Sequence, residues 1–108
     1  MTDTHDTFRT LGPGAELPND YVVPYYLEDR KHRVAVARVA DELYAFDDMC
    51  THERCPLSAG LLTGTTIMCQ CHASRFDVTT GAVINGPATE ALGTYEVREV
   101  DGDLQVKI

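Results

Sequence analysis

One spacing pattern constrains this chain more than any other feature. The sequence has Cys-x-His at positions 50–52 and Cys-x-x-His at positions 69–72. Each segment offers one thiolate and one imidazole, and both groups bind transition metals well. A fold that brings the two segments together therefore builds a metal site. We predict four ligands: Cys50, His52, Cys69 and His72.

Two kinds of metal centre compete for such a set of ligands. Four-coordinate Zn²⁺ accepts two cysteines and two histidines, but the usual zinc spacings keep like residues together. Here each segment supplies a mixed pair. That arrangement suits a two-iron cluster in which two cysteines bind one iron and two histidines bind the other. The spacing favours the [2Fe–2S] centre, and zinc is the non-redox alternative.

Composition and charge narrow the context of this site. The 108 residues suit one domain, and the net charge of −8 argues against a nucleic-acid partner. No apolar run approaches the roughly 20 residues that cross a bilayer. The polar segment from Met1 to Thr10 lacks the basic flank and apolar stretch of a signal peptide. We therefore expect a cytoplasmic protein that does not bind membranes. We also expect a monomer.

The rest of the chain has the pattern of short strands. Segments 21–23, 34–39 and 43–46 are rich in β-branched and aromatic residues. Apolar residues alternate with polar ones on both sides of Asp101-Gly102, a strong hairpin turn. A second turn is expected at 79–81. No segment has sustained helical periodicity, so we predict an all-β antiparallel sandwich or barrel.

These motifs resemble those of the Rieske ferredoxins, the small electron carriers of multicomponent oxygenases. The likeness extends to Gly81, Gly86-Pro87-Ala88 and Tyr95-Glu96-Val97. It implies one Rieske domain over residues 1–108, with a cluster-binding subdomain made of loops 49–60 and 69–74 and a proline loop at 85–88. In that family the residues matching Cys50 and Cys69 hold the inner iron. Those matching His52 and His72 hold the outer iron near the surface.

The resemblance also assigns roles beside the cluster. Respiratory Rieske proteins have cysteines at the positions of Cys55 and Cys71, joined in a disulfide between the two loops. Two reduced thiols are the alternative in a reducing cytosol. In high-potential members, a serine at the position of Ser74 and a tyrosine at that of Phe76 donate hydrogen bonds to cluster sulfur. Keeping the serine without the tyrosine implies an intermediate potential. Gly86 and Pro87 would cover one side of the cluster.

The function implied is electron transfer from a flavin-containing reductase to a terminal oxygenase, with no catalysis by this chain. The partner would dock at the cluster tip, which we expect to be formed by four residues: His52, His72, Leu57 and Pro87. The alternative is the small Rieske subunit of a larger reductase such as NADH-dependent nitrite reductase. That class usually lacks the extra cysteine pair. An oxygenase would need a second iron site, and His5 and His32 do not have its spacing.

Overall fold

The computed structural model describes residues 8–51, 55–71 and 73–108. These residues contain ten β-strands and no α-helix, which confirms the all-β prediction. The strands are β1 (Phe8–Pro13), β2 (Tyr21–Leu27), β3 (His32–Val39), β4 (Glu42–Asp47), β5 (Leu61–Thr63), β6 (Thr66–Met68), β7 (Arg75–Asp77), β8 (Val83–Asn85), β9 (Thr94–Val100) and β10 (Asp103–Lys107). Within the described ranges, no helix is long and apolar enough to cross a membrane.

Two antiparallel sheets organise the strands. The larger has six strands in the order β1-β10-β9-β4-β3-β2, and the smaller has four in the order β5-β6-β7-β8. Two-residue turns close two of the hairpins in the larger sheet, at Ala40-Asp41 and at Asp101-Gly102. All four turn residues have positive φ, which the right-handed twist of hairpin strands requires.

The two sheets share buried side chains through β3. Ala35 and Ala37 belong to one buried cluster, whereas Val34 and Val36 belong to another. Successive side chains of a strand point to opposite faces, so β3 has a core on each side. The first cluster contains Cys50 and Cys69, together with residues of the smaller sheet. The loops that carry the predicted ligands are therefore built onto a continuous core.

Two parts of the sheets were not predicted from the sequence. β1 lies partly in a segment that we treated as a polar terminus, and it pairs with β10. The β5–β6 hairpin has strands of three residues each, closed by Gly64 with a φ of 57°. Such short strands give too little alternation to be recognised. Gly60, just before β5, lies so close to the backbone carbonyl of Met68 that a Cβ would overlap it.

Candidate metal centre

The two cysteines of the predicted ligand set lie at the ends of strands and are buried. Cys50 comes three residues after the end of β4, and Cys69 follows β6 directly. Their exposed fractions are 5% and 1%, and neither is in a disulfide. Burial of two thiols outside a disulfide, each at the base of a loop, matches the donor chemistry of an iron–sulfur centre.

Backbone hydrogen bonds shape both loops. The Cys50 N–H donates to the carbonyl of Cys55 over 3.0 Å. In the second loop, the Cys69 N–H donates to the carbonyl of Ser74 over 2.8 Å, and the Ala73 N–H donates back to the carbonyl of Cys69 over 2.9 Å. Ala73 has a φ of 60°, which allows this tight turn. Each cysteine is thus fixed by the main chain around it.

Cys55 and Cys71 form a disulfide between the two loops, as the resemblance implied. Their Cα atoms are 6.5 Å apart, within the usual range for a bridge. Cys71 is exposed and Cys55 is partly buried. The bridge holds the first loop against the second, and Cys69 lies beside it.

His52 and His72, the two predicted imidazole ligands, lie outside the described residues. Their assignment stays a prediction, as does the completion of the four-ligand set.

A buried carboxylate anchors the base of the first loop. Asp48 is fully buried, and its side chain accepts hydrogen bonds from the backbone N–H and the hydroxyl of Ser58, over 2.8 and 3.0 Å. The Arg33 guanidinium on β3 forms an ion pair with the same carboxylate, and its Nε lies 2.8 Å from Oδ2, the oxygen that accepts the Ser58 hydroxyl. The Asp48 carbonyl also accepts from the Leu57 N–H over 2.6 Å. This role has no signal in the sequence, because the Asp47-Asp48 pair has the pattern of an ordinary polar loop.

The proline loop and the segment directly after it are hydrogen-bonded to the two ligand loops. Ser74 is fully buried, and its Oγ accepts the Ala88 N–H over 3.0 Å. This bond uses an oxygen lone pair and leaves the hydroxyl proton available for donation. The Thr51 hydroxyl donates to the Glu90 carbonyl over 2.6 Å. The Gly86-Pro87 peptide is cis, and Pro87 is exposed.

Phe76 and Leu57 are both fully buried in the core beneath the loops. The predicted effect of Phe76 on the potential, through the hydroxyl that it lacks, stays a prediction. The prediction of Leu57 as a docking residue is wrong, because a side chain with no exposed surface cannot contact a partner. Its 3-10 turn, Leu57–Ala59, points it into the apolar cluster instead.

An open cleft of about 650 Å³ lies beside Cys50 and Thr51. Met49 and Tyr26 line it and are 40% and 58% exposed. Lys31 lines the same cleft. Tyr26 and Lys31 carry no motif signal, since they come from β2 and the turn after it, whereas Met49 belongs to the first ligand loop.

A small polar network borders this cleft. Oδ1 of Asp47 lies 2.5 Å from Nε2 of His32, and the Tyr95 hydroxyl donates to the same oxygen over 2.5 Å. Burial, with the hydrogen bond to Asp47, raises the pKa of Tyr95. His32 is thus half-buried and joins β3 to β4 and β9.

Together, these features define an all-β protein with two buried thiols at the base of two disulfide-linked loops. Residues 8–96 match the Rieske [2Fe-2S] domain family. The chain is 42% identical over 73 residues to ferredoxin CarAc of Metapseudomonas resinovorans, covering 68% of each sequence. It is 37% identical over 83 residues to the ferredoxin component of the naphthalene 1,2-dioxygenase system of Pseudomonas aeruginosa, covering 77% of this chain and 78% of that one.

A solved structure of a related protein has the same fold. A chain from the complex of reduced oxygenase and oxidised ferredoxin in carbazole 1,9a-dioxygenase superposes with a TM-score of 0.87 and 30% identity, covering 94% of both chains. This chain belongs to the Rieske [2Fe-2S] family, and its relatives are ferredoxin components of dioxygenase systems.

Proposed function

We propose that this protein carries single electrons from a flavin-containing reductase to the terminal oxygenase of a dioxygenase system. The observation that carries the proposal is the pair of buried thiols, Cys50 and Cys69, on two loops joined by the Cys55–Cys71 disulfide. A relative of similar length is named as the ferredoxin component of such a system, and another similar chain comes from an oxygenase–ferredoxin complex.

The proposed cofactor is one [2Fe–2S] cluster held by Cys50, Cys69, His52 and His72. The donor set fits, because two thiolates neutralise the charge left over by two Fe³⁺ and two S²⁻, while neutral histidines add none. A neutral centre accepts an electron more easily than the all-cysteine type, so the cluster supplies one-electron chemistry at a raised potential. Within the protein, the disulfide and the Asp48 anchor keep the two thiols in place.

We propose a docking surface at the loop tip, with Pro87 and the His52 and His72 loops at its centre. Met49 replaces Leu57 in the proposed docking surface, because Met49 is exposed next to Cys50 whereas Leu57 is fully buried. An apolar patch at this point lets a partner approach the ligands closely. We further propose that residues 1–108 act as one cytoplasmic domain and as a monomer.

The experiment is coupled turnover with purified reductases and oxygenases, alongside visible spectra and iron and sulfide analysis. We expect two iron and two sulfide per chain, and substrate oxidation only when this protein is present. A colourless protein with zinc would contradict the cofactor. A protein with the cluster that supports no turnover with any oxygenase, but reduces a subunit of a larger reductase, would favour the alternative class.

Docking is tested with Met49→Asp and Pro87→Asp. Both are expected to reduce coupled turnover at least about tenfold without changing the spectrum, because a buried charge at an interface costs more than 1.4 kcal/mol. Val100→Asp is the control, since Val100 is 38% exposed on the β9–β10 hairpin, outside the three loops. Unchanged turnover in both loop variants would place the docking surface elsewhere.

His72→Cys tests the imidazole ligand. A thiolate in place of a neutral imidazole adds negative charge, so we expect a lower potential or loss of the cluster. The same spectrum and potential as the parent protein would show that His72 is not a ligand.

A further inference from the structure

Three sulfur atoms are gathered at the junction of the two ligand loops. The Sγ atoms of Cys55, Cys69 and Cys71 all lie within 4.8 Å of one another. Two of them form the disulfide, and Cys69 is the third, outside it. This separation is little more than the ~4 Å of a van der Waals contact. Cys50 is not part of the group.

We propose that the Cys69 thiol exchanges with this disulfide whenever the cluster is absent, and that a Cys55–Cys69 bridge forms. The Cys69 thiol gives its proton to water, and the thiolate attacks Sγ of Cys55. The Cys55–Cys71 bond breaks, and its electron pair leaves on Cys71, which takes up a proton. One S–S bond forms for each one broken, so no oxidant or reductant is needed.

Two features favour Cys55 as the atom attacked. Cys71 is exposed, so its released thiolate is solvated by water. The native bridge joins residues 16 apart, and the new bridge closes a loop only two residues shorter. Loop-closure entropy changes slowly with length, so closing either loop costs a similar amount of conformational entropy. Attack on Cys71 instead would close a strained ring with a single residue between the cysteines.

The exchange acts on cluster assembly. A Cys69 held in a bridge cannot bind iron, which leaves Cys50 as the remaining thiol of the proposed ligand set. Conversely, iron bound to Cys69 withdraws this sulfur from exchange and preserves the Cys55–Cys71 bridge. This protection rests on the proposed ligand role of Cys69, whereas the exchange itself rests on the sulfur positions alone.

Disulfide mapping tests the proposal. Iron is removed from purified protein with a chelator under anaerobic conditions, thiols are alkylated at acidic pH, and bridges are mapped by peptide mass spectrometry. In protein that retains its cluster, we expect only the Cys55–Cys71 bridge. In cluster-free protein, we expect the Cys55–Cys69 bridge in roughly half of the molecules, from the near-equal loop lengths.

Two serine variants provide matched controls, because each removes one proposed cysteine ligand. Cys50→Ser should show the Cys55–Cys69 bridge at the level of the cluster-free parent, and Cys69→Ser should show none. A chemically denatured sample is the reference for random exchange among all four cysteines, and there we expect some disulfides to contain Cys50. In native cluster-free protein we expect no disulfide that contains Cys50.

The Cys55–Cys71 bridge alone in both the cluster-free parent and Cys50→Ser would overturn the proposal. Bridges that contain Cys50 at the denatured level would also overturn it, because they would report unfolding rather than proximity. Neither result involves partner turnover or the spectrum of untreated protein, so the electron-transfer proposal is tested separately.

Discussion

Single buried polar groups set the geometry around the two cysteines. Asp48 and Ser74 are the two fully buried polar side chains within residues 8–51, 55–71 and 73–108. Both lie within a few residues of a cysteine of the proposed ligand set, and both have hydrogen bonds to a neighbouring segment. Burial of a polar group is costly unless its partners are present, so each one specifies a single arrangement of its loop.

Asp48→Ala should lower the free energy of unfolding by about 3 kcal/mol. The change leaves the Ser58 N–H without its acceptor and the partly buried Arg33 without its carboxylate. Ser58→Ala removes only one hydroxyl bond to Asp48 and should cost about 1 kcal/mol. Denaturant unfolding of the two variants measures the difference. Equal losses would show that neither the Arg33 contact nor the bond from the Ser58 N–H contributes to stability.

Ser74→Ala should lower the midpoint potential of the cluster. The Ser74 Oγ accepts from Ala88, so its proton is available to a cluster sulfur, and such a bond stabilises the reduced, more negative state. A gain of 1.4 kcal/mol in the reduced state corresponds to about 59 mV for one electron. Phe76→Tyr should shift the potential upwards. Voltammetry measures both, with Ser58→Ala as the control. Shifts of the opposite sign would defeat the account.

Hairpins are the elements in which residue choice and backbone geometry are most closely tied. The β9–β10 turn uses Asp101-Gly102, and both residues tolerate positive φ. The β3–β4 turn has the same conformation but places Ala40 at a φ of 50°. Asn19 stabilises it, because its side chain has two hydrogen bonds with Asp41. An alanine in this conformation is strained by its Cβ.

Ala40→Gly should therefore raise the free energy of unfolding by about 0.5–1 kcal/mol. The relief of left-handed strain exceeds the extra entropy that glycine has in the unfolded chain. Asp101→Gly is the matched change in the other hairpin, and it should gain less because aspartate already tolerates this region. Thermal unfolding of both variants checks the order. A larger gain at Asp101 would contradict it.

The charge of the whole molecule bears on how it meets its partner. The net charge is −8, so the surface as a whole favours a basic partner. Lys31 and Met49 line the cleft beside the first ligand loop and give that face a different character. We therefore expect long-range attraction to come from the surface as a whole and close contact to come from the proposed docking surface.

Raising the salt concentration should slow association with the oxygenase more than it slows electron transfer within the complex. The Debye length is about 10 Å at 0.1 M salt, so long-range steering is screened while short contacts persist. Stopped-flow kinetics at several ionic strengths separates the second-order rate from the limiting first-order rate. An association rate that does not depend on salt would rule out steering by net charge.

Much of the fold could be predicted from the sequence, because several strands and turns are specified by residues that are close together along the chain. Alternating residues around Asp101-Gly102 and the β-rich run before Phe46 require no distant contact to be recognised. β1 and the β5–β6 hairpin were missed because they are stabilised by pairing and by a shared core, rather than by their own pattern. Leu57 was placed at the surface by its position in a loop, but the 3-10 turn buries it.

The sequence by itself determined the chemistry of this protein. The mixed Cys and His spacing predicts the kind of metal centre, because coordination depends on the donor atoms available. Only the tertiary structure brought Cys69 next to the disulfide, Asp48 beneath the first loop, and Met49 and Tyr26 onto one face. These contacts join segments that are distant along the chain, so they exist only after the sheets have packed and no local pattern records them.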